Sequence, residues 1–142
     1  MNRILVVDDD PYILMSLEFL MKKEGYEVAV ARNGKEALTL LEEPGIKLVL
    51  LDIMMPDVDG YEICRHIKSN KKLQHIQVVF LSAKSSEADI KKGMSLGAAL
   101  YVTKPFSVRV LLERIKSLLR RKSLALLDDN DIVTRRGITL DR

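Results

Sequence analysis

Leu48-Val49-Leu50-Leu51-Asp52 is an unbroken apolar run that ends on an acid. Two other stretches repeat that design. Ile4-Leu5-Val6-Val7 runs into Asp8-Asp9-Asp10, and Val78-Val79-Phe80-Leu81 runs into Ser82. Short strands that are apolar on both faces suit a parallel sheet covered by helices on each side. Val28-Ala29-Val30 and Leu100-Tyr101-Val102 read as two weaker strands, the second leading into Lys104-Pro105.

Helical patterns lie between the strands. Asp10-Pro11 supplies an N-cap and a first-turn proline; Leu14, Leu17 and Met21 follow at helical spacing, and Gly25 stops the segment. Asn33 with Glu36 begins a second helix, with Ala37, Leu40 and Leu41 on one face and Pro44-Gly45 as its break. Ile63 and Ile67 mark a third helix after Asp59-Gly60. Ile90 and Met94 mark a fourth that ends at Gly97, and Val108, Leu111, Leu112, Ile115, Leu118 and Leu119 a fifth. Five βα units in succession predict a doubly wound α/β fold with a parallel sheet. Right-handed crossovers narrow the topology, and ligands in such sheets bind beyond the carboxyl ends of the strands.

The 142 residues suit one domain with a tail, large enough to bury a core without staples. The single Cys64 excludes an internal disulfide framework. No apolar run reaches the ~18–20 residues of a membrane span, and the start reads into strand rather than a secretory leader, so a cytoplasmic location is expected. With a net charge of only +3, the triplet Arg120-Arg121-Lys122 reads as a solvated helix end, and direct DNA contact by this chain is not expected. Cys64 is expected to be buried. His66 and His75 follow no metal spacing and read as surface or structural residues.

The chemistry lies in what the strands end on. Asp8, Asp9, Asp52, Ser82 and Lys104 all fall on one edge of the predicted sheet. Each has an ordinary reading alone: an acid after a strand caps a helix, and a lone serine or lysine decorates a loop. Asp10, before Pro11, is accounted for in that way, but Asp8 and Asp9 cannot both be caps. Carboxylates gathered in one cleft repel one another, and a hard cation such as Mg²⁺ removes the penalty while accepting a phosphate. Lys104 adds a positive charge, and Ser82 a hydroxyl donor, for phosphoryl oxygens. Phosphoryl transfer needs mainly positioning and charge neutralisation, and an aspartyl carboxylate is a competent nucleophile.

Four ordered motifs carry a family resemblance. They are Ile4-Leu5-Val6-Val7-Asp8-Asp9-Asp10; Leu50-Leu51-Asp52-Ile53-Met54-Met55-Pro56 with Asp59-Gly60; Leu81-Ser82-Ala83; and Tyr101-Val102-Thr103-Lys104-Pro105-Phe106. Together they resemble the response-regulator receiver family of two-component signalling over about residues 1–122. The resemblance implies a flavodoxin-like (βα)5 fold, strand order 2-1-3-4-5, with helices on both faces. It implies Asp52 as phosphoacceptor, and Asp9, Asp8, Asp52 and the backbone carbonyl of Met54 as the Mg²⁺ site. Lys104 and Ser82 then contact the phosphoryl group, and Tyr101 is the rotameric switch that moves inward as Ser82 engages it. The donor is a sensor histidine kinase, a phosphotransfer protein or a small acyl phosphate. The chain catalyses only its own phosphorylation and dephosphorylation, and a downstream output, transcription among the candidates, is regulated.

Two other readings stay open at this point. One is a pseudo-receiver, an interaction module without phosphorylation, against which the joint presence of Asp52, Asp9, Ser82 and Lys104 argues. The other is a phosphatase of external substrates, which would want a second acid two residues after the nucleophile, where this chain has Met54. The sequence also departs from receivers joined to winged-helix domains: Ala99, Leu100 and Val110 stand where acids are usual, although Arg114 matches an expected base. The face of helix 4, strand 5 and helix 5 is therefore expected to be more apolar, suited to a different partner or to a homodimer without the usual ion pairs. Residues 123–142 read as a tail, with Ile132-Val133 and Ile138-Thr139-Leu140 strand-like about a turn at Arg135-Arg136-Gly137. They are either a natural tail or the entry to a truncated effector region.

Overall fold

A computed structural model describes residues 2–127, with side chains described through residue 120. The order of elements is β1 (Arg3–Val7), α1 (Pro11–Lys23), β2 (Glu27–Ala31), α2 (Gly34–Leu40), β3 (Ile46–Leu51), α3 (Gly60–Ser69), β4 (Gln77–Ser82), α4 (Glu87–Ser95), β5 (Leu100–Thr103) and α5 (Val108–Leu127). All strand pairs are parallel, in the order β2-β1-β3-β4-β5, as expected. The strand-like reading of residues 128–142 falls outside the described residues.

The chain divides into two compact units, Met1–Phe106 and Ser107–Arg142. In the first, alternate strand residues serve the two faces of the sheet. Leu5, Val7, Val49, Leu51, Val78 and Phe80 join Ala37 and Leu41 of α2 and Ile63, Cys64 and Ile67 of α3 in one buried cluster. Their neighbours Ile4, Val6, Leu48, Leu50, Val79 and Leu81 are equally buried on the opposite face, the side of α1 with its buried Leu14, Leu17 and Met21. In the second unit, α5 buries Leu111, Ile115, Leu118 and Leu119, again at helical spacing.

The caps match their sequence signals. Asp10 accepts from the Tyr12 N–H, Asn33 from Glu36, and Asp59 from Glu62, each leaving one helix donor satisfied. Gly25, at the end of α1, has φ +96°, which L side chains rarely adopt. Two boundaries differ from expectation. β3 begins at Ile46 because Lys47, which interrupts the apolar pattern, simply points to solvent. In α4 it is Gly93, not Met94, that is buried; Met94 is 42% exposed.

Candidate functional site

Strand register assembles the site. Val7 pairs with Leu51, so Asp8 and Asp52 are the next residues of two adjoining strands. The ladder continues through them: the Asp52 N–H donates to the Val7 carbonyl at 2.9 Å, and the Asp8 N–H to the Ala31 carbonyl at 3.1 Å. The Lys104 N–H donates to the Ser82 carbonyl at 2.8 Å, tying the β5 exit to the end of β4. The Lys104–Pro105 peptide is cis.

The side chains converge. Carboxylate oxygens of Asp8, Asp9 and Asp52 lie within 4.8 Å of one another, the only such acidic or metal-ligating group among the described residues. Asp8 and Asp52 are buried, whereas Asp9 is exposed. The Lys104 ammonium donates to Asp8 at 2.9 Å and stands 3.8 Å from Asp52. Asp8 also accepts from the Asp10 N–H at 2.9 Å. Three carboxylates against one ammonium leave an excess of negative charge in a partly buried site. Burial pushes the Asp52 carboxyl up to about 6, and the Asp8 charge adds to the rise. Lys104 and an N–H from Met54 oppose it, and Asp9 contributes a further increment. An all-oxygen donor set, partly open to solvent through Asp9 and short of positive charge, fits Mg²⁺ better than a softer metal.

A cavity of about 590 Å³ opens beside the cluster, lined in part by Asp9, Met54, Tyr61, Lys84 and Lys92. The Met54 side chain is 56% exposed there. Ser82 is fully buried, and its Oγ accepts from the Lys84 N–H at 3.1 Å. Tyr101 is half-buried and turned toward this loop, its hydroxyl donating to the Lys84 carbonyl at 2.7 Å.

Further contributions had been missed. Phe80 is flanked by Tyr61, edge-on at 5.6 Å between centroids, and by Tyr101 at 5.8 Å. Tyr61 donates to the Asp89 carbonyl in α4, and Lys92 stands 4.3 Å over its ring. Gly93 makes room for this stack, since a Cβ there would come within 2.9 Å of Tyr101 and 3.0 Å of Phe80. Gly60 lies under Asp52: a Cβ would stand 2.4 Å from the Asp52 carbonyl oxygen and 2.8 Å from Ile53 Cα. Backbone cannot give way as a flexible side chain does. Gly60→Ala is therefore expected to cost about 2 kcal/mol through overpacking, read as a lower urea midpoint at unchanged slope.

Other sequence readings fall away from the site. Cys64 is buried in the core, where burial raises its thiol pKa; His66 and His75 are exposed. Ala99 and Leu100 are half-buried, Val110 is 41% exposed, and Arg114 is exposed. No described helix is long and apolar enough to cross a membrane.

Comparison with known proteins bears on the family and the fold. Residues 4–116 match the family model of the response regulator receiver domain. The BeF3-activated receiver domain of DrrB is 38% identical, with a TM-score of 0.75 over 83% of this chain and 97% of that one. A CheY-like receiver domain protein from Methanospirillum hungatei JF-1 is 32% identical, with a TM-score of 0.81 over 87% of this chain and 97% of that one. DrrB of Thermotoga maritima, an OmpR/PhoB homolog, is 38% identical at a TM-score of 0.77. The match takes in 86% of this chain but 54% of that longer one. The strand-end acids, the lysine that bridges two of them and the matched span give one answer: this chain belongs to the response regulator receiver domains of two-component systems.

Proposed function

We propose that the chain is a phosphorylatable switch whose acceptor is Asp52, and that it receives the phosphoryl group from a histidine kinase, a phosphotransfer protein or a small acyl phosphate. The observation that carries this reading is a buried Asp52 with Asp8, Asp9 and Lys104 around it and a cavity at its side. With its carboxyl near 6, Asp52 is mostly anionic at neutral pH and more basic than an ordinary aspartate, which suits a nucleophile. One Asp52 oxygen forms the new bond to phosphorus as the bond from phosphorus to the donor's imidazole nitrogen or acyl oxygen breaks. The leaving group keeps that electron pair: a carboxylate leaves as the anion, and an imidazole takes a proton from solvent. Asp8, Asp9, Asp52 and the Met54 carbonyl would hold Mg²⁺, which supplies charge neutralisation to the phosphoryl oxygens. Lys104 and the Ser82 hydroxyl take the remaining oxygens. Ser82 drawn toward the phosphoryl group, with Tyr101 held at Lys84, biases the β4–α4 loop and so the binding surface beyond it. The chain then acts on itself alone, inside the cytoplasm, and its output passes to a partner.

A protein donor has a surface to meet. α1 starts directly after the acidic cluster and exposes Tyr12, Met15 and Phe19 at 77%, 61% and 65%, spaced along one stripe of the helix. Large apolar groups aligned on a solvent face are a mark of interaction sites.

The test is direct. Incubated with Mg²⁺ and acetyl phosphate, the protein should gain one phosphoryl mass, and chelation of the metal should prevent the gain. Beryllofluoride, the activator of the DrrB receiver, should bind under the same conditions and would reveal an adduct too short-lived to trap. Neither mass gain nor beryllofluoride binding would leave the pseudo-receiver reading in place.

A further inference from the structure

Asp57 is exposed and outside the acidic cluster, yet it ties two elements of the site together. Its Oδ1 accepts from the Gly34 N–H at 3.0 Å and its Oδ2 from the Lys35 N–H at 2.9 Å, across 23 and 22 residues of chain. An α-helix leaves its first four N–H groups without helical partners. In α2, the Asn33 side chain serves one of them, the Glu36 N–H, while the Asn33 carbonyl accepts the first regular helical bond, from Ala37. Asp57 takes those of Gly34 and Lys35. The carboxyl is held below its usual range by these amides. Val58 completes the junction: it sits so close to Gly34 that a Cβ on the glycine would lie 2.6 Å from Val58 Cβ.

The clamp matters because of what the loop carries. The β3–α3 loop is fastened at its far end by the Gly60 N–H, which donates to the Ile53 carbonyl at 2.9 Å. Asp57 fastens it on the α2 side. Between these two points lies Met54, whose backbone N–H helps to favour the Asp52 anion. We propose that Asp57 is a positioning residue for the cation site, holding the β3–α3 loop against α2 so that the Met54 backbone is presented to the ion beside Asp8, Asp9 and Asp52. This rests on the Mg²⁺ reading of the site given above.

Capping alone would make Asp57 a matter of α2 stability, and its charge alone would attract any cation. Two variants separate those roles from positioning. Asn33→Ala removes a cap from the same helix end without releasing the loop. Asp57→Asn removes the charge but keeps an acceptor for an α2 amide. Mg²⁺ alone would be titrated calorimetrically into wild type, Asp57→Ala, Asp57→Asn and Asn33→Ala, with thermal unfolding of each in chelator. Asp57→Ala is expected to bind Mg²⁺ at least tenfold more weakly, and Asp57→Asn to recover most of that loss. Asn33→Ala is expected to unfold at a lower temperature, as Asp57→Ala does, yet to bind Mg²⁺ like wild type. Unchanged affinity in Asp57→Ala, equal losses in the Ala and Asn variants at 57, or the same loss in Asn33→Ala would each overturn the proposal. Absence of Mg²⁺ binding by wild type would overturn the metal reading itself, and this one with it.

Discussion

Asp52→Asn should abolish the phosphoryl mass gain and, in metal-free solution at pH 8, make the protein more stable by about 3 kcal/mol. The first half follows from the loss of the nucleophile, since an amide oxygen next to a bound phosphoryl donor does not displace its leaving group. The second half follows from the charge. The Asp52 carboxyl stands at about 6 in the fold against 3.8 as its ordinary value, because burial and Asp8 disfavour the anion. The folded state therefore binds the proton more tightly than the unfolded one does. Below pH 3.8 both states carry it, and the residue contributes no penalty. As pH rises through about 6 the folded state must give up a proton it holds preferentially, and the stability present at low pH is lost. Asparagine has no such step. Wild type and variant should have similar unfolding free energies at pH 4 and diverge between pH 4 and 6, with the variant ahead above pH 7. Mg²⁺, by favouring the anion, should narrow the gap. Urea unfolding across that pH range, with and without Mg²⁺, checks both signs. A variant less stable than wild type at pH 8 without metal would show that ionised Asp52 is already well compensated by Lys104 and the Met54 N–H.

The same residues show why this site was legible in sequence and its support was not. Asp8, Asp52, Ser82 and Lys104 announce themselves because each ends, or follows closely on, a short apolar strand, and parallel register brings strand ends together whatever the intervening helices contain. The caps Asp10 and Asn33 were readable because each partner lies two or three residues away. Asp57 bonds to residues more than twenty positions back, and sequence pattern has no term for that distance. Gly60 and Gly93 act through a Cβ they lack, against Asp52 and against Phe80 and Tyr101, so only the packed backbone reveals them. Met94 was placed on the inner face of α4 by its hydrophobicity. The close approach at Gly93 turns that helix so that the small residue, not the large one, meets the sheet.

Lys104→Met should have effects of opposite sign on metal binding and on chemistry. Among the described residues the ammonium is the one cation in contact with the cluster, 2.9 Å from Asp8 and 3.8 Å from Asp52, and its side chain is only 20% exposed. Removing it leaves two buried carboxylates without their partner, the situation in which breaking a buried ion pair costs about 3–5 kcal/mol. Without metal at pH 8 the variant should therefore be markedly less stable than wild type, and Asp52, relieved of its main opposing charge, should hold its proton to still higher pH. Mg²⁺ no longer competes with the ammonium for Asp8, so its affinity should rise several-fold and its stabilising effect should be larger than in wild type. Phosphoryl transfer should move the other way. A preorganised charge aimed at the transferring group is worth about 10²–10³ in rate, and methionine supplies none, so phosphorylation by acetyl phosphate at saturating Mg²⁺ should slow by about that factor. Calorimetric titration, urea unfolding with and without Mg²⁺ and the intact-mass time course read the three effects separately. Weaker Mg²⁺ binding together with an unchanged rate would mean that Lys104 orders the carboxylates and never meets the phosphoryl group. Tighter binding with slower transfer is the signature of a lysine that holds the metal's place in the resting site and then serves the phosphoryl oxygens once the metal has entered.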